Sequence, residues 1–532
     1  MNEKIRRLMR KGPITAGALM AVSAIALTAC TTGSPTGGAN SSGSPSTDTI
    51  RTVFTADPST FSPFKVNAID DYTASRFLFD TLVRRGADNQ IVSGLASKWE
   101  IIPTKGVFTL RDGATCSDGT AIPPQVVSDS LNYFASKDAG STFRVLVFGE
   151  GEAKISADAA VGTVTVDLAQ PWTDMLQGLS LAGSGIVCPE GLKDQKGLAA
   201  GTAKGAFSGP YTLAKKAHGV NYQFALRTDY KAWPAYDPAP AGTPAKSIEA
   251  SVNANSSAIT NELLTGSRDY ARISGKDMTR FKDQQGYGAE VYAQASTYIV
   301  FNERPGSPFA SADARKAVAQ AVNRDAYNHA TGGGLGQTYS SFARPGVACA
   351  NEEQAMLIPE DSAAAKTSLA GIKIKMVGAN AFGPNGAGNT YVSEALRAAG
   401  ADVELRNVDV ANWATDLQQN PEAWDMTIYG ALNPSGTMYA ALSPIAGVPV
   451  ESGGLNVTGN ANQPVMDLVA QAMAETDDTK RCTTYEAVQE NIIGEAHAVP
   501  LASLPAQSTT RPGFGVSIFN GSVDESTLRV TN

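Results

Sequence analysis

Histidine is scarce in this chain: 3 in 532 residues. His218, His329 and His497 stand in no H-x-x-x-H or HExxH arrangement, so each reads as a surface or structural residue and not as a metal ligand. No GxSxG elbow, Walker A loop or zinc-type CxxC occurs. The run Gly332-Gly333-Gly334-Leu335-Gly336 follows a helical stretch where a dinucleotide fingerprint would join a strand to a helix, so it reads as a helix-ending loop. With 51 Asp and Glu in the chain, a pair of carboxylates is uninformative. These absences leave no positive support for an enzyme, a cofactor or a metal. Basic residues are also in deficit, 43 against 51 acids for a net charge of −8, which excludes the clustered positive charge that nucleic acid requires. After the first thirty residues no apolar run approaches the length of a membrane span, which excludes a multi-pass membrane protein. What is present, 42% apolar residues with 51 Gly and 28 Pro, suits a folded chain of two or three domains and not a disordered, collagenous or coiled-coil one.

The charge is unevenly placed. Lys4, Arg6, Arg7, Arg10 and Lys11 precede an apolar run, Ile14 to Leu27, of secretory length and too short for a comfortable span. The run ends in Leu27-Thr28-Ala29-Cys30. Small residues before a cysteine resemble the bacterial lipoprotein signal, which implies that residues 1–29 are a signal peptide removed before a lipidated Cys30. Two acyl chains would hold such a protein stably, at about 0.8 kcal/mol per buried methylene. An ordinary cleaved signal with an incidental cysteine is the alternative. Residues 30–48, small, polar and turn-forming after the cysteine, cannot bury enough apolar surface to offset ordering entropy and read as a flexible tether.

The body reads as mixed α/β. Val107–Arg111, Thr163–Leu168 and Tyr222–Arg227 alternate as strands do. Ala314, Ala317, Val318, Ala321 and Val322 predict one helix over 312–328, with Asp313 placed favourably in its first turn. Gly371–Val377, a glycine-rich loop (378–389), a helix from Tyr391 to Ala399 stopped by Gly400, and a strand at Val403–Val408 form a βαβ pattern that implies a parallel sheet.

Four stretches in order resemble the peptide/nickel-type solute-binding proteins of bacterial ABC importers: residues 54–101, with a Pro-containing loop, a helix ending near Leu82 and GLASKWE; FTLRDGATCSDGTAIPPQVV (108–127); GPYTLAKKAHGVNYQFALRTDYKAW (209–233); and YIVFNERPGSPFASADARKAVAQAVNRDAY (298–327). Locally these pieces are structural. Arg111-Asp112-Gly113 and Ser117-Asp118-Gly119 are turn chemistry, and Trp99 and Phe108 are core candidates.

The resemblance implies an α/β clamp of the periplasmic-binding-protein type II kind, with an extra subdomain inserted in lobe one. Lobe one would comprise 49–78, 206–297 and 500–532, the inserted subdomain 79–205, and lobe two 298–499, hinged near Tyr298–Asn302 and Pro500–Ser503. The implied function is capture of a peptide or other polar solute outside the cell and delivery to an ABC permease and its ATPase. It implies a monomer on the extracytoplasmic face of the bacterial membrane, held by the lipid, with no nucleic-acid partner. A sensing or envelope lipoprotein using the same clamp is the alternative.

Site residues carried over from the family are Asn67 and Ile69 in a lobe-one loop, Tyr298 beside the crossing strand, and Trp413, matching a cleft-lining aromatic. Tyr429 and Asn433 lie in the stretch that holds the peptide amine in oligopeptide binders. There Ala431 replaces the family's Trp, and Asn433 or Pro434 its Asp. A neutral amide makes a weaker bond to an ammonium than a carboxylate does, which leaves room for sugars or other metabolites. Asp425 matches a more general family acid, read as structural.

Beyond Cys30 the cysteines are Cys116, Cys188, Cys349 and Cys482. An even number in an exported chain reads as disulfides, and four allow three pairings. On the domain map implied by the resemblance, either mixed pairing would bolt the lobes together, so Cys116–Cys188 and Cys349–Cys482 are expected.

Overall fold

The computed structural model describes residues 48–519 and 521–531. The signal peptide, Cys30 and all but the last residue of the proposed tether lie outside the described residues. Three sheets of four or six strands, with two two-stranded ribbons, organise the rest, which clusters as one compact unit. The first has four strands in the order Thr49–Phe54, Ser247–Val252, Asn221–Leu226, Tyr211–Ala217; the outer pair Thr49–Phe54 and Ser247–Val252 is parallel and the others are antiparallel. The second is an antiparallel sheet in the order Ala96–Ile102, Lys105–Leu110, Thr163–Leu168, Ala153–Asp158, backed by the helix Pro124–Ala135. In Thr163–Leu168 the period-two pattern has its physical outcome: Val164, Val166 and Leu168 are buried on one face.

The third sheet has six strands: Tyr270–Ser274, Ala498–Thr510, Gly288–Phe301, Met426–Ala431, Lys373–Ala379 and Asp402–Val408. Its long members, Gly288–Phe301 and Ala498–Thr510, pair antiparallel, with Tyr298 opposite Pro500 and register shifts at Ala293/Ala295 and Ser296/Tyr298. Bulges of this kind bend and twist a ladder. Lys373–Ala379 and Asp402–Val408 pair in parallel around the helix Ala387–Ala398, as the βαβ pattern requires.

Two sequence expectations are corrected. The single helix over 312–328 is two, Ala312–Ala321 and Arg324–Gly332, because Val322 and Asn323 are extended. The Asn323 side chain accepts from Ala326 N–H at 2.8 Å and starts the second helix as an N-cap. Val322 is buried as an extended residue, so its apolar spacing did not require helix. The helix expected to end near Leu82 ends at Leu78. The Thr81 and Leu82 carbonyls instead accept from Leu95 and Ala96 N–H at 3.0 and 2.8 Å, and those cross-chain bonds take the chain out of the helix.

Cys116 is disulfide-bonded to Cys188, and Cys349 to Cys482. Phe108 is fully buried and Trp99 partly so. Gly113 and Gly119 adopt φ of 77° and 85° in their turns, where a side chain would be strained. Among the described residues no helix is long and apolar enough to cross a membrane.

Candidate functional site

A cavity of about 110 Å³ opens beside the helix Ile69–Leu78. Asp71 positions that helix: its carboxylate accepts from Ser59 N–H (2.7 Å), Ser59 Oγ (2.8 Å) and Asn67 N–H (3.2 Å). Asp70 accepts from Thr55 Oγ1 and Ala56 N–H at 2.8 and 3.0 Å. Two acids in the first turn suit the helix dipole and pin the preceding loop. The helix then presents Ile69, Tyr72, Thr73 and Arg76 to the cavity, one face at helical spacing.

The remaining walls come from distant segments. Ser180 to Ala182 close one side, Arg272, Tyr292 and Gln294 rise from the six-stranded sheet, and Leu432 and Pro434 face in from the turn after Met426–Ala431. The hairpin of Phe514–Phe519 and Ser522–Val530 contributes Asp524 and Glu525. Arg85, at the end of the strand Val83–Arg85, completes the lining.

The charges fall into two kinds. Arg272 lies 3.5 Å from Asp70 and 3.3 Å from Glu525. Arg84 lies 3.2 Å from Asp80 and 3.5 Å from Asp524. Burial works to raise Asp524, but the Arg84 and Arg76 guanidiniums and hydrogen bonds from Ser526 and Tyr236 hold it down at about 2. For Glu525, burial prevails over Arg272 and the carboxyl is raised. Arg76 donates to Ser180 O at 2.7 Å, yet its Nη1 is buried without a hydrogen bond. Arg85 is buried and its Nη1 too has no hydrogen bond. Burial, then the neighbouring Arg344 and Arg76, push Arg85 down to about 9, which leaves it charged at neutral pH.

Of the six ligand candidates read from the sequence, Ile69 lines this cavity. Asn67 is exposed on the loop before the helix. Tyr298, Trp413 and Tyr429 are brought together elsewhere: Tyr298 stacks on Tyr429 at 5.7 Å, and Tyr429 meets Trp413 at 5.3 Å. The Trp413 Nε1–H donates to Thr427 Oγ1 at 2.9 Å, and the Tyr298 hydroxyl to Ala441 O at 3.0 Å. Asn433 is buried with its amide turned on its own loop, donating to Thr437 O and accepting from Thr437 N–H. Asp425 accepts from Lys375 N–H at 2.7 Å and ties two strands. His497 lies 2.9 Å from Glu303, which also pairs with Arg315 at 3.2 Å, a structural cluster. Among the described residues no group of His, Cys, Asp or Glu is placed to hold a metal.

Sequence reasoning passed over Arg76, Arg85, Arg272, Asp524 and Glu525. One signal was available. Arg84-Arg85 follows the largely apolar stretch Phe77-Leu78-Phe79-Asp80-Thr81-Leu82-Val83, whose single acid can pair with only one of two adjacent arginines, and buried arginines require anions nearby.

A family description, bacterial extracellular solute-binding proteins, family 5 middle, matches residues 90–449. The fold is shared with a substrate-binding protein from Microbacterium hydrocarbonoxydans complexed with 4-hydroxybenzoate hydrazide: TM-score 0.84 and 40% identity, covering 91% of this chain and 100% of that one. It is also shared with AgaA of A. tumefaciens in complex with agropinic acid, at TM-score 0.78 and 20% identity over 91% and 98%. The probable D,D-dipeptide-binding periplasmic protein DdpA of Escherichia coli is 26% identical over 286 residues, 50% of this chain and 51% of that one. The match therefore spans about half the length of that relative. The fold is the two-lobed α/β clamp of these proteins, and the chain belongs to the bacterial extracellular solute-binding proteins of family 5.

Proposed function

We propose that this protein is a lipid-anchored receptor that captures a small polar solute outside the cell and hands it to an ABC permease and its ATPase. The observation that carries the reading is the cavity walled by Ile69 to Arg76 and the Asp524–Glu525 hairpin on one side and by Leu432 and Pro434 on the other. In the proposed division, lobe one is 49–78, 206–297 and 500–532, its inserted subdomain is 79–205, and lobe two is 298–499. The two walls then belong to different lobes. A ligand touching both is bound fully only when they are together, so it stabilises closure through differential affinity. The bulged ladder at Tyr298 and Pro500 suits the hinge. The permease reads the closed form, and the Cys30 anchor keeps a monomeric receptor at high local concentration near it.

The size favours a small solute, since about 110 Å³ is well short of the roughly 300–1,000 Å³ of drug-sized sites. Relatives name the chemistry to try, an aryl hydrazide and a D,D-dipeptide. Titration calorimetry with 4-hydroxybenzoate hydrazide and with D-alanyl-D-alanine, beside native mass spectrometry of protein purified from its host, tests the reading. A saturable heat or a co-purifying small molecule is expected. Absence of both, with unchanged solute uptake in a deletion strain, would remove it.

A further inference from the structure

We propose that the cavity is selective for a small organic monoanion whose carboxylate docks on Arg85, with Arg76 as the second donor. The inference rests on the reading of this cavity as the solute site and adds the charge of what enters it.

Arg84 and Arg85 are neighbours in the strand Val83–Arg85. Successive side chains of a strand point to opposite faces. Arg84 is ion-paired with Asp80 and Asp524, whereas Arg85 lines the cavity that Asp524 also lines and feels Asp524 only through its field, without an ion pair. The residue is 7% exposed, and among the described residues its side chain has no hydrogen bond or ion pair. Gly436 packs against its Nη1: a Cβ at that position would collide with the guanidinium. The close approach of the turn at Gly436, where φ is 65°, thus holds the fork in place without pairing it.

The nearby acids are already engaged. Asp524 accepts from the Tyr236 hydroxyl at 2.6 Å and from Ser526 N–H and Oγ at 3.1 and 2.6 Å, besides facing Arg84. Glu525 and Asp70 face Arg272. Three arginines and two acids line the cavity, and once the two acids are assigned to Arg84 and Arg272, Arg85 and one nitrogen of Arg76 remain without an anion. A buried guanidinium left unpaired is costly, and the planar fork matches a carboxylate in bidentate geometry. Burial and the like charges of Arg344 and Arg76 outweigh the pull of Asp524 and lower the Arg85 pKa.

The same inventory limits the ligand's charge. Asp524 and Glu525 in the lining repel a second negative charge, which disfavours phosphate esters and dicarboxylates. Tyr72, Leu181, Leu432 and Pro434 supply an apolar wall for a compact organic body.

The test uses matched pairs in which a carboxylate is replaced by a neutral group: 4-hydroxybenzoate against 4-hydroxybenzamide and 4-hydroxybenzoate hydrazide, hexanoate against hexanamide, and N-acetyl-D-alanine against N-acetyl-D-alaninamide. Each is titrated calorimetrically into the intact protein, into Arg85→Gln and into Arg85→Lys, with folding checked by circular dichroism. In at least one pair the carboxylate should bind roughly tenfold or more tighter than its neutral partner, from the loss of a charge-assisted bidentate contact. That preference should vanish in Arg85→Gln and weaken in Arg85→Lys, which keeps the charge but loses the fork. Neutral members binding as well as the acids, or a preference that survives Arg85→Gln, would overturn the inference while leaving solute capture standing. Silence of every compound in the wild-type protein would remove the cavity as a solute site and the inference with it. The acid–neutral comparison in the wild type stands even if a variant fails to fold.

Discussion

Tyr439 donates its hydroxyl to Glu150 Oε1 at 3.3 Å across 289 residues of sequence, and its ring meets Trp172 edge-on at 4.5 Å. In the proposed division these residues lie in lobe two and in the inserted subdomain. Beside them Thr173 N–H donates to Met473 O at 3.2 Å. Burial raises Asp174 to about 6 against the pull of Thr437 and Arg481, and raises Glu150 against Tyr439 and Arg144.

The sign of the pH effect follows. A carboxyl whose folded pKa exceeds its unfolded value contributes stability that is complete below the unfolded value and lost as pH rises through the folded one. For Asp174 that window runs from the ordinary 3.8 up to about 6. The contact between 172–174 and the helix Met438–Leu442 should therefore be firmer at pH 5 than at pH 7.5, by about 1.4 kcal/mol. Hydrogen exchange of the 438–442 amides, corrected for intrinsic rates, measures it. Asp174→Asn should remove most of the pH difference, and a difference unchanged in that variant would refute the assignment.

Arg85 should illustrate a conflict between binding and stability. Arg85→Met removes a buried, unpaired charge and should raise the melting temperature of the empty protein, with a gain of about 1–3 kcal/mol. It should abolish the acid preference in the same sample. A destabilised Arg85→Met would mean that the guanidinium has a structural partner.

Trp413 is buried among Phe382 and Tyr429, with its indole N–H satisfied by Thr427. Trp413→Ala should cost about 3–5 kcal/mol of stability through the cavity it leaves, measurable by urea denaturation. Trp413→Phe should recover more than half of that. A loss of affinity without a loss of stability would instead place Trp413 in the ligand site.

Cys30 is the chemical handle of the proposed anchor. Cys30→Ser, expressed in a lipoprotein-processing bacterium, should move the protein from the membrane fraction to the soluble one, because it loses both acyl chains. Undiminished membrane association would rule out this anchor.

What was legible in the sequence is what depends on neighbours in the chain. Thr163–Leu168 declares itself a strand because its apolar residues alternate, and Gly113 and Gly119 mark turns because other residues resist positive φ. The parallel pair around Ala387–Ala398 follows from a strand, helix and strand in succession. Even the break at Asn323 had a local cause in its capping side chain, hidden only because Val322 keeps the apolar rhythm. The candidate site is different in kind. Arg84 and Arg85 are one residue apart and chemically identical, and no local rule says which is paired and which waits. That was decided by the hairpin bearing Asp524, by the turn at Gly436, and by Ser180 meeting the helix at Arg76, segments separated by about a hundred residues or more. Period and propensity report which face of an element is buried; whether a buried charge meets its partner there depends on long-range packing, and only the tertiary structure settled it.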